Sequence, residues 1–236
     1  GRPPRVLIVG DSVAYSMAAG MVPVQSQLGL DLDSSTVIAC GVARGSGLIR
    51  LPDGRTATES PDCHAWPERW TEKLTTFQPD LALLIVGWPG STERDLDGAW
   101  RKPCDPVFDA WYEGEVRDAL DVLRSSGVPV AMTTVPYYRS TKAPPGNDAS
   151  VDCLNRQYRS ILDDVNQQAL AEGRPERQVA TVDLARFTCP EPPSCRTEIN
   201  GVVMREDGLH FDGPSGVIVG TWVTAQGLAA VDDFRT

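Results

Sequence analysis

Arg5-Val6-Leu7-Ile8-Val9-Gly10-Asp11-Ser12 is the stretch from which the fold follows. Four consecutive apolar residues, β-branched at alternate places, make a strand that expects cover on both faces, as in a parallel sheet. Gly-Asp-Ser ends it abruptly, and residues with helical spacing come next. A strand that turns directly into a helix is the first half of a β-α-β crossover.

Four more apolar runs repeat this signature, at residues 36–40, 81–86, 128–134 and 179–184. Helical periodicity fills the intervals. Residues 107–125 carry Trp111, Val116, Ala119, Leu120 and Leu123 on one face, and Gly127 stops them. Residues 153–171 repeat the pattern, residues 66–77 form a shorter helix, and residues 214–231 form the last, with Pro214 suited to a first turn. The alternation predicts an α/β protein, a three-layer α/β/α sandwich around a five-stranded parallel sheet, in a single domain over residues 1–236. Ligands of such sheets bind at the carboxyl ends of the strands. Long loops at 41–62, 87–105 and 137–151 are expected to gather there as a rim.

The chain has 236 residues, 41% hydrophobic and 23% charged, with a formal charge of -10. That balance describes a globular protein and argues against nucleic acid as a partner. No apolar run reaches the ~18 residues of a membrane span. The start at Gly1 without Met fits an excised or processed chain.

Six cysteines occur, with no C-x-x-C and only two histidines, a composition unsuited to zinc. No metal and no cofactor is expected. Cys40, Cys63, Cys104 and Cys153 fall in or beside expected loops, and Cys189 and Cys195 bracket a Pro-rich one. The pattern predicts disulfides and an oxidising compartment. The expected pairs are Cys189–Cys195 and Cys63–Cys104.

Two fragments carry chemistry. Ser12 stands at the first turn of a helix, where the dipole and free N–H groups suit a developing oxyanion. Asp207-Gly208-Leu209-His210, near the other end, offers a histidine and a carboxylate that can fix its tautomer. His64, beside Cys63, reads as structural or rim-lining. Serine, histidine and aspartate together suffice for acyl transfer. Asp11 or Ser12 as a plain helix cap is the competing reading. There is no G-x-S-x-G elbow, and no glycine cluster has dinucleotide or P-loop spacing. Arg44, Arg94 and Arg205 lie in the expected rim, as ligands for an acidic group or as solvated surface residues. Trp88 is the best placed ring for sugar stacking, while Trp70 and Trp111 read as core.

The Gly10-Asp11-Ser12 and Asp207-x-x-His210 blocks resemble those of the SGNH (GDSL-type) hydrolase superfamily, whose fold is flavodoxin-like. Further blocks resemble the extracytoplasmic SGNH domain fused behind acyltransferase-3 membrane domains in actinobacteria. These are Thr133-Thr134-Val135-Pro136-Tyr137-Tyr138, Cys153-Leu154-Asn155, Val182-Asp183-Leu184 with Cys189-Pro190, and Arg205 through Phe211.

The resemblance implies Ser12 as nucleophile, His210 as base and Asp207 as its partner. It also implies oxyanion or substrate contacts from Ser12, Gly41 or Gly45, with Arg44, Trp88 and Ser91 as further candidates. The superfamily's G-x-N-D block is replaced by Gly87-Trp88-Pro89-Gly90-Ser91, without asparagine. An oxyanion donor is typically worth ~3–4 kcal/mol in the transition state.

The implied function is an esterase or O-acyltransferase acting on acylated glycans or glycolipids of the cell envelope. The implied location is extracytoplasmic, with an acyltransferase-3 membrane domain as possible parent. A glycan-positioning module without turnover, and a lipid esterase, are the alternatives.

Overall fold

In a computed structural model, which describes residues 1–45, 47–51, 54–140 and 147–234, five strands form one all-parallel sheet. They are β1 (Arg5–Gly10), β2 (Asp31–Thr36), β3 (Leu81–Ile85), β4 (Val130–Thr133) and β5 (Val179–Val182). Their order, β2-β1-β3-β4-β5, is the flavodoxin-like doubly wound order. It reverses between β1 and β3, and that switch point is where such folds place their ligands.

The alternation within β1 divides the core. Val6 and Ile8 face α1 (Ser12–Met21) and the later α6 (Pro214–Asp233), whereas Leu7 and Val9 face the opposite layer. That layer consists of α2 (Trp66–Phe77), α3 (Pro106–Arg124) and α4 (Asn147–Ala171). A short α5 (Leu184–Thr188) follows β5.

The second strand departs from expectation: it is Asp31–Thr36, and residues 37–40 leave the sheet. The reason is its exposure: only Leu32 of the strand is buried, so Asp-Leu-Asp-Ser-Ser-Thr needs little apolar cover and hydrophobicity does not mark it. The apolar run beyond it is a turn: Ala39 is left-handed (φ 63°) and Ile38 is 63% exposed.

Two expected loops contain an accessory antiparallel sheet, formed by Leu48–Arg50, Thr56–Thr58, Arg94–Leu96 and Ala99–Arg101. A second small hairpin pairs Glu198–Ile199 with Val202–Val203. Positions 141–146 of the third expected loop lie outside the described residues.

Three disulfides are present. Cys189–Cys195 is as expected, but Cys63 joins Cys40 and Cys104 joins Cys153. The Cys63–Cys104 expectation is therefore corrected. The turn carrying Cys63 leads into α2, which packs on β1 and β2, so it meets the loop leaving β2. Cys153 lies within α4, beside α3, and faces the turn that precedes α3.

Candidate active site

Gly10 starts the site because no other residue fits there. Its φ is +141°, and a Cβ would stand 1.8 Å from the Ile85 carbonyl oxygen. The chain thereby turns close against β3 and enters α1. Asp11 is the N-cap: its Oδ1 accepts the Val13 N–H at 2.8 Å. Ser12 is consequently the first helical residue, and its hydroxyl is not spent on capping.

The base arrives from the chain's far end. Asp207 Oδ1 accepts both the Leu209 and His210 N–H groups at 2.8 Å, folding the segment into a tight turn. Gly208 is left-handed (φ +77°) and lies so close to Arg139 that a Cβ would sit 2.2 Å from its carbonyl carbon. The Phe211 N–H donates to Ser16 Oγ (3.2 Å), docking the turn on α1 one helical turn past Ser12.

These supports bring the two fragments together. His210 Nε2 lies 2.8 Å from Ser12 Oγ, and His210 Nδ1 lies 2.6 Å from Asp207 Oδ2. An ionised carboxylate only accepts, so Nδ1 carries the proton and Nε2 is left to accept from the hydroxyl. Partial burial opposes the charge of Asp207. Hydrogen bonds from the His210 and Leu209 N–H groups and the His210 ring outweigh it, and hold its pKa below the usual value. Asp207 stays ionised at neutral pH. The arrangement has the parts for removing a proton from Ser12 as it attacks a carbonyl carbon.

The surrounding candidates divide. Gly41 is buried against Pro89 and Gly90, at the turn following β3. Gly45 lies farther out, exposed and left-handed (φ +90°). Trp88 is half-buried and opens the turn Trp88–Ser91. Ser91 lies in the same turn, and its hydroxyl donates to the Trp88 carbonyl (2.8 Å).

Arg44 is engaged within the protein. It bonds Glu115 (2.7 Å) and Asp118 (2.5 Å) and lies over the Trp66 ring. Arg94 and Arg205 are not solvated either. Arg94 is buried on Glu59, whose carboxylate also lies 3.1 Å from His64 Nε2. Arg205 donates to the Tyr137 carbonyl, and burial lowers its pKa to about 10. Trp70 is core as expected, whereas Trp111 is only half-buried.

Sequence reasoning missed what Asp11 does besides capping. Its Oδ2 accepts the Gly87 N–H at 2.8 Å, so one buried carboxylate joins the ends of β1 and β3. Burial raises its pKa to about 6, against hydrogen bonds from Gly87, Val13 and Ala14. The available signal was a charged residue between two positions that both demand burial. Among the described residues, no group of three or more His, Cys, Asp or Glu side chains is placed to hold a metal ion. None of the described helices is long and apolar enough to cross a membrane.

The sequence pattern of the SGNH domain (fused to AT3 domains) matches residues 1–212. No curated protein matches the chain in sequence. Three solved structures are similar in fold. The periplasmic domain of a lipopolysaccharide acetyltransferase from Salmonella ser. Paratyphi A has a TM-score of 0.52 at 12% identity, covering 97% of this chain and 84% of that one. An acetyl xylan esterase variant from Geobacillus stearothermophilus has a TM-score of 0.55 at 12% identity, covering 98% and 96%. A GDSL-like lipase from Bacteroides thetaiotaomicron has a TM-score of 0.55 at 13% identity, covering 98% and 89%.

Proposed function

Since the chain belongs to the family of SGNH domains fused to AT3 domains, we propose that it is a serine esterase or O-acyltransferase acting on acylated glycans or glycolipids of the cell envelope. The observation that carries this reading is the 2.8 Å approach of His210 Nε2 to Ser12 Oγ, across 198 positions of sequence. In this mechanism Ser12 Oγ bonds to the acyl carbon while its proton passes to Nε2. The oxyanion collapses, the bond to the leaving alcohol breaks, and His210 returns the proton to that alcohol's oxygen. A water or a sugar hydroxyl then attacks the acyl-Ser12 ester by the same route. Asp207 holds the imidazole and balances its transient charge.

The N–H of Ser12, at the start of α1, is the first donor proposed for the oxyanion, with the Gly41 N–H beside it. Three disulfides support an extracytoplasmic location. Family membership makes an AT3 membrane domain the natural covalent partner. Such a partner would hand acyl groups to the domain or take modified glycan from it.

The test is turnover of 4-nitrophenyl acetate by the wild-type and Ser12→Ala proteins, with mass mapping of the acyl adduct. Expected are an adduct on the Ser12 peptide and a fall of at least ~10³-fold in kcat for the variant. Equal turnover by both would refute it. A glycan-positioning module draws support from the Gly87 and Ser91 donors being spent within the protein. It is the reading left standing if the folded wild type neither turns over nor forms an adduct.

A further inference from the structure

A cleft of about 390 Å³ opens beside the accessory sheet, within the range of small-ligand sites. Val107 and Trp111, one turn apart on α3, supply its apolar side. Asp95 and Asp97 line it from the hairpin Arg94–Leu96/Ala99–Arg101, and Arg44 and Gly45 from the loop after β2. That loop begins at Gly41, packed on the Pro89–Gly90 turn next to the Asp11–Gly87 bond. Four residues span at most ~14 Å, so cleft and candidate active site share one rim.

The chemistry of the lining is selective. Val107 is 47% exposed and Trp111 is half-buried, an apolar platform left open. Asp97 is exposed and Asp95 lines the same side, so the cleft offers carboxylate acceptors to ligand hydroxyls. Arg44 does not make the cleft attractive to anions, because Glu115 and Asp118 already hold its guanidinium. Arg94, below, is held by Glu59. Asp95 and Asp97 therefore leave the cleft negative.

We propose that this cleft binds an uncharged saccharide unit of the glycan on which the Ser12 site acts, its C–H face on Trp111 and Val107 and its hydroxyls on Asp95 and Asp97. The inference rests on the glycan reading of the site and narrows it to glycans without anionic units at this position. Uronic-acid or phosphorylated units are repelled by the two carboxylates.

The experiment is calorimetric titration of the Ser12→Ala protein, so that no turnover enters the reading. The probes are xylotriose, mannotriose and triacetylchitotriose, with trigalacturonic acid as the anionic counterpart. Saturable binding of at least one uncharged trisaccharide is expected, weakened at least 10-fold by Trp111→Ala and by Asp97→Gly. Asp97 is left-handed (φ 56°), so glycine removes its carboxylate without backbone strain. If Trp111→Ala does not fold, Asp97→Gly decides.

The proposal is overturned if no uncharged trisaccharide binds, if trigalacturonic acid binds more tightly, or if binding survives in the folded variants. Failure of the Ser12 nucleophile shows in the ester assay instead, so the two ideas fall separately.

Discussion

Replacing Asp11 by Asn tests the electrostatic cost of joining β1 to β3 through a buried carboxylate. Asp11 is fully buried, and its pKa rises from 3.8 to about 6, chiefly through burial. The folded state therefore holds this proton more tightly than the unfolded chain does. Between pH 4 and pH 6 the folded protein carries the proton and the unfolded chain does not, so stability falls as pH rises. Each pH unit in that window is worth about 1.4 kcal/mol, giving a total loss of about 3 kcal/mol that is complete above pH 6.

Asn cannot ionise and still caps α1, but it offers one acceptor oxygen where Asp11 uses two, for Val13 and Gly87. The orphaned N–H costs about 1–3 kcal/mol at every pH. Urea unfolding of both proteins from pH 4 to pH 7 separates the two effects. The stability of the variant relative to wild type should improve by about 3 kcal/mol across that range. Asp109, also raised by burial, acts equally in both proteins and cancels. Asp207 is lowered, so its contribution changes below pH 3.8, outside the window. Parallel pH profiles for the two proteins would refute the reasoning.

Asp207→Asn should leave the turn folded, because the amide oxygen can still accept the Leu209 and His210 N–H groups. Its NH₂ would face His210 Nδ1 and impose the wrong tautomer, so kcat for an activated ester should fall by ~10³–10⁴-fold with KM nearly unchanged; a loss under tenfold contradicts this role. Arg94→Met strands Glu59, whose side chain is 3% exposed, and should cost about 3–5 kcal/mol in urea unfolding. Adding Glu59→Gln should restore most of it, and no restoration would show that the loss comes from packing.

The parallel sheet was legible because four of its strands need apolar cover on both faces and advertise it in unbroken runs. The second strand was not, because an edge strand between solvent and β1 tolerates Asp, Ser and Thr. The Cys63–Cys104 expectation fails for a related reason. Pairing depends on which loops the crossovers bring together, and Cys153 was hidden in the first turns of a helix that begins at Asn147. Ser12, Asp207 and His210 could be nominated from residue type, since His64 was the sole rival and sits beside a cysteine. The 2.8 and 2.6 Å contacts between them could not, because they depend on Gly208 against Arg139 and on Ser16 holding the Phe211 N–H.

The turn after β3 has a different logic from the block it replaces. Where an asparagine would aim an amide at the oxyanion, this chain uses the Gly87 N–H to bind Asp11 and the Ser91 hydroxyl to bind the Trp88 carbonyl. Both groups stiffen the turn, and neither remains free to donate. The Trp88 indole N–H, by contrast, makes no hydrogen bond among the described residues. The N–H of Ser12, the N–H of Gly41 and the indole of Trp88 are the donors we propose for an oxyanion on this edge. We propose the Trp88 ring as the substitute for that amide. Its N–H is fixed in the ring plane, and a donor held in place before reaction is what makes an oxyanion site effective.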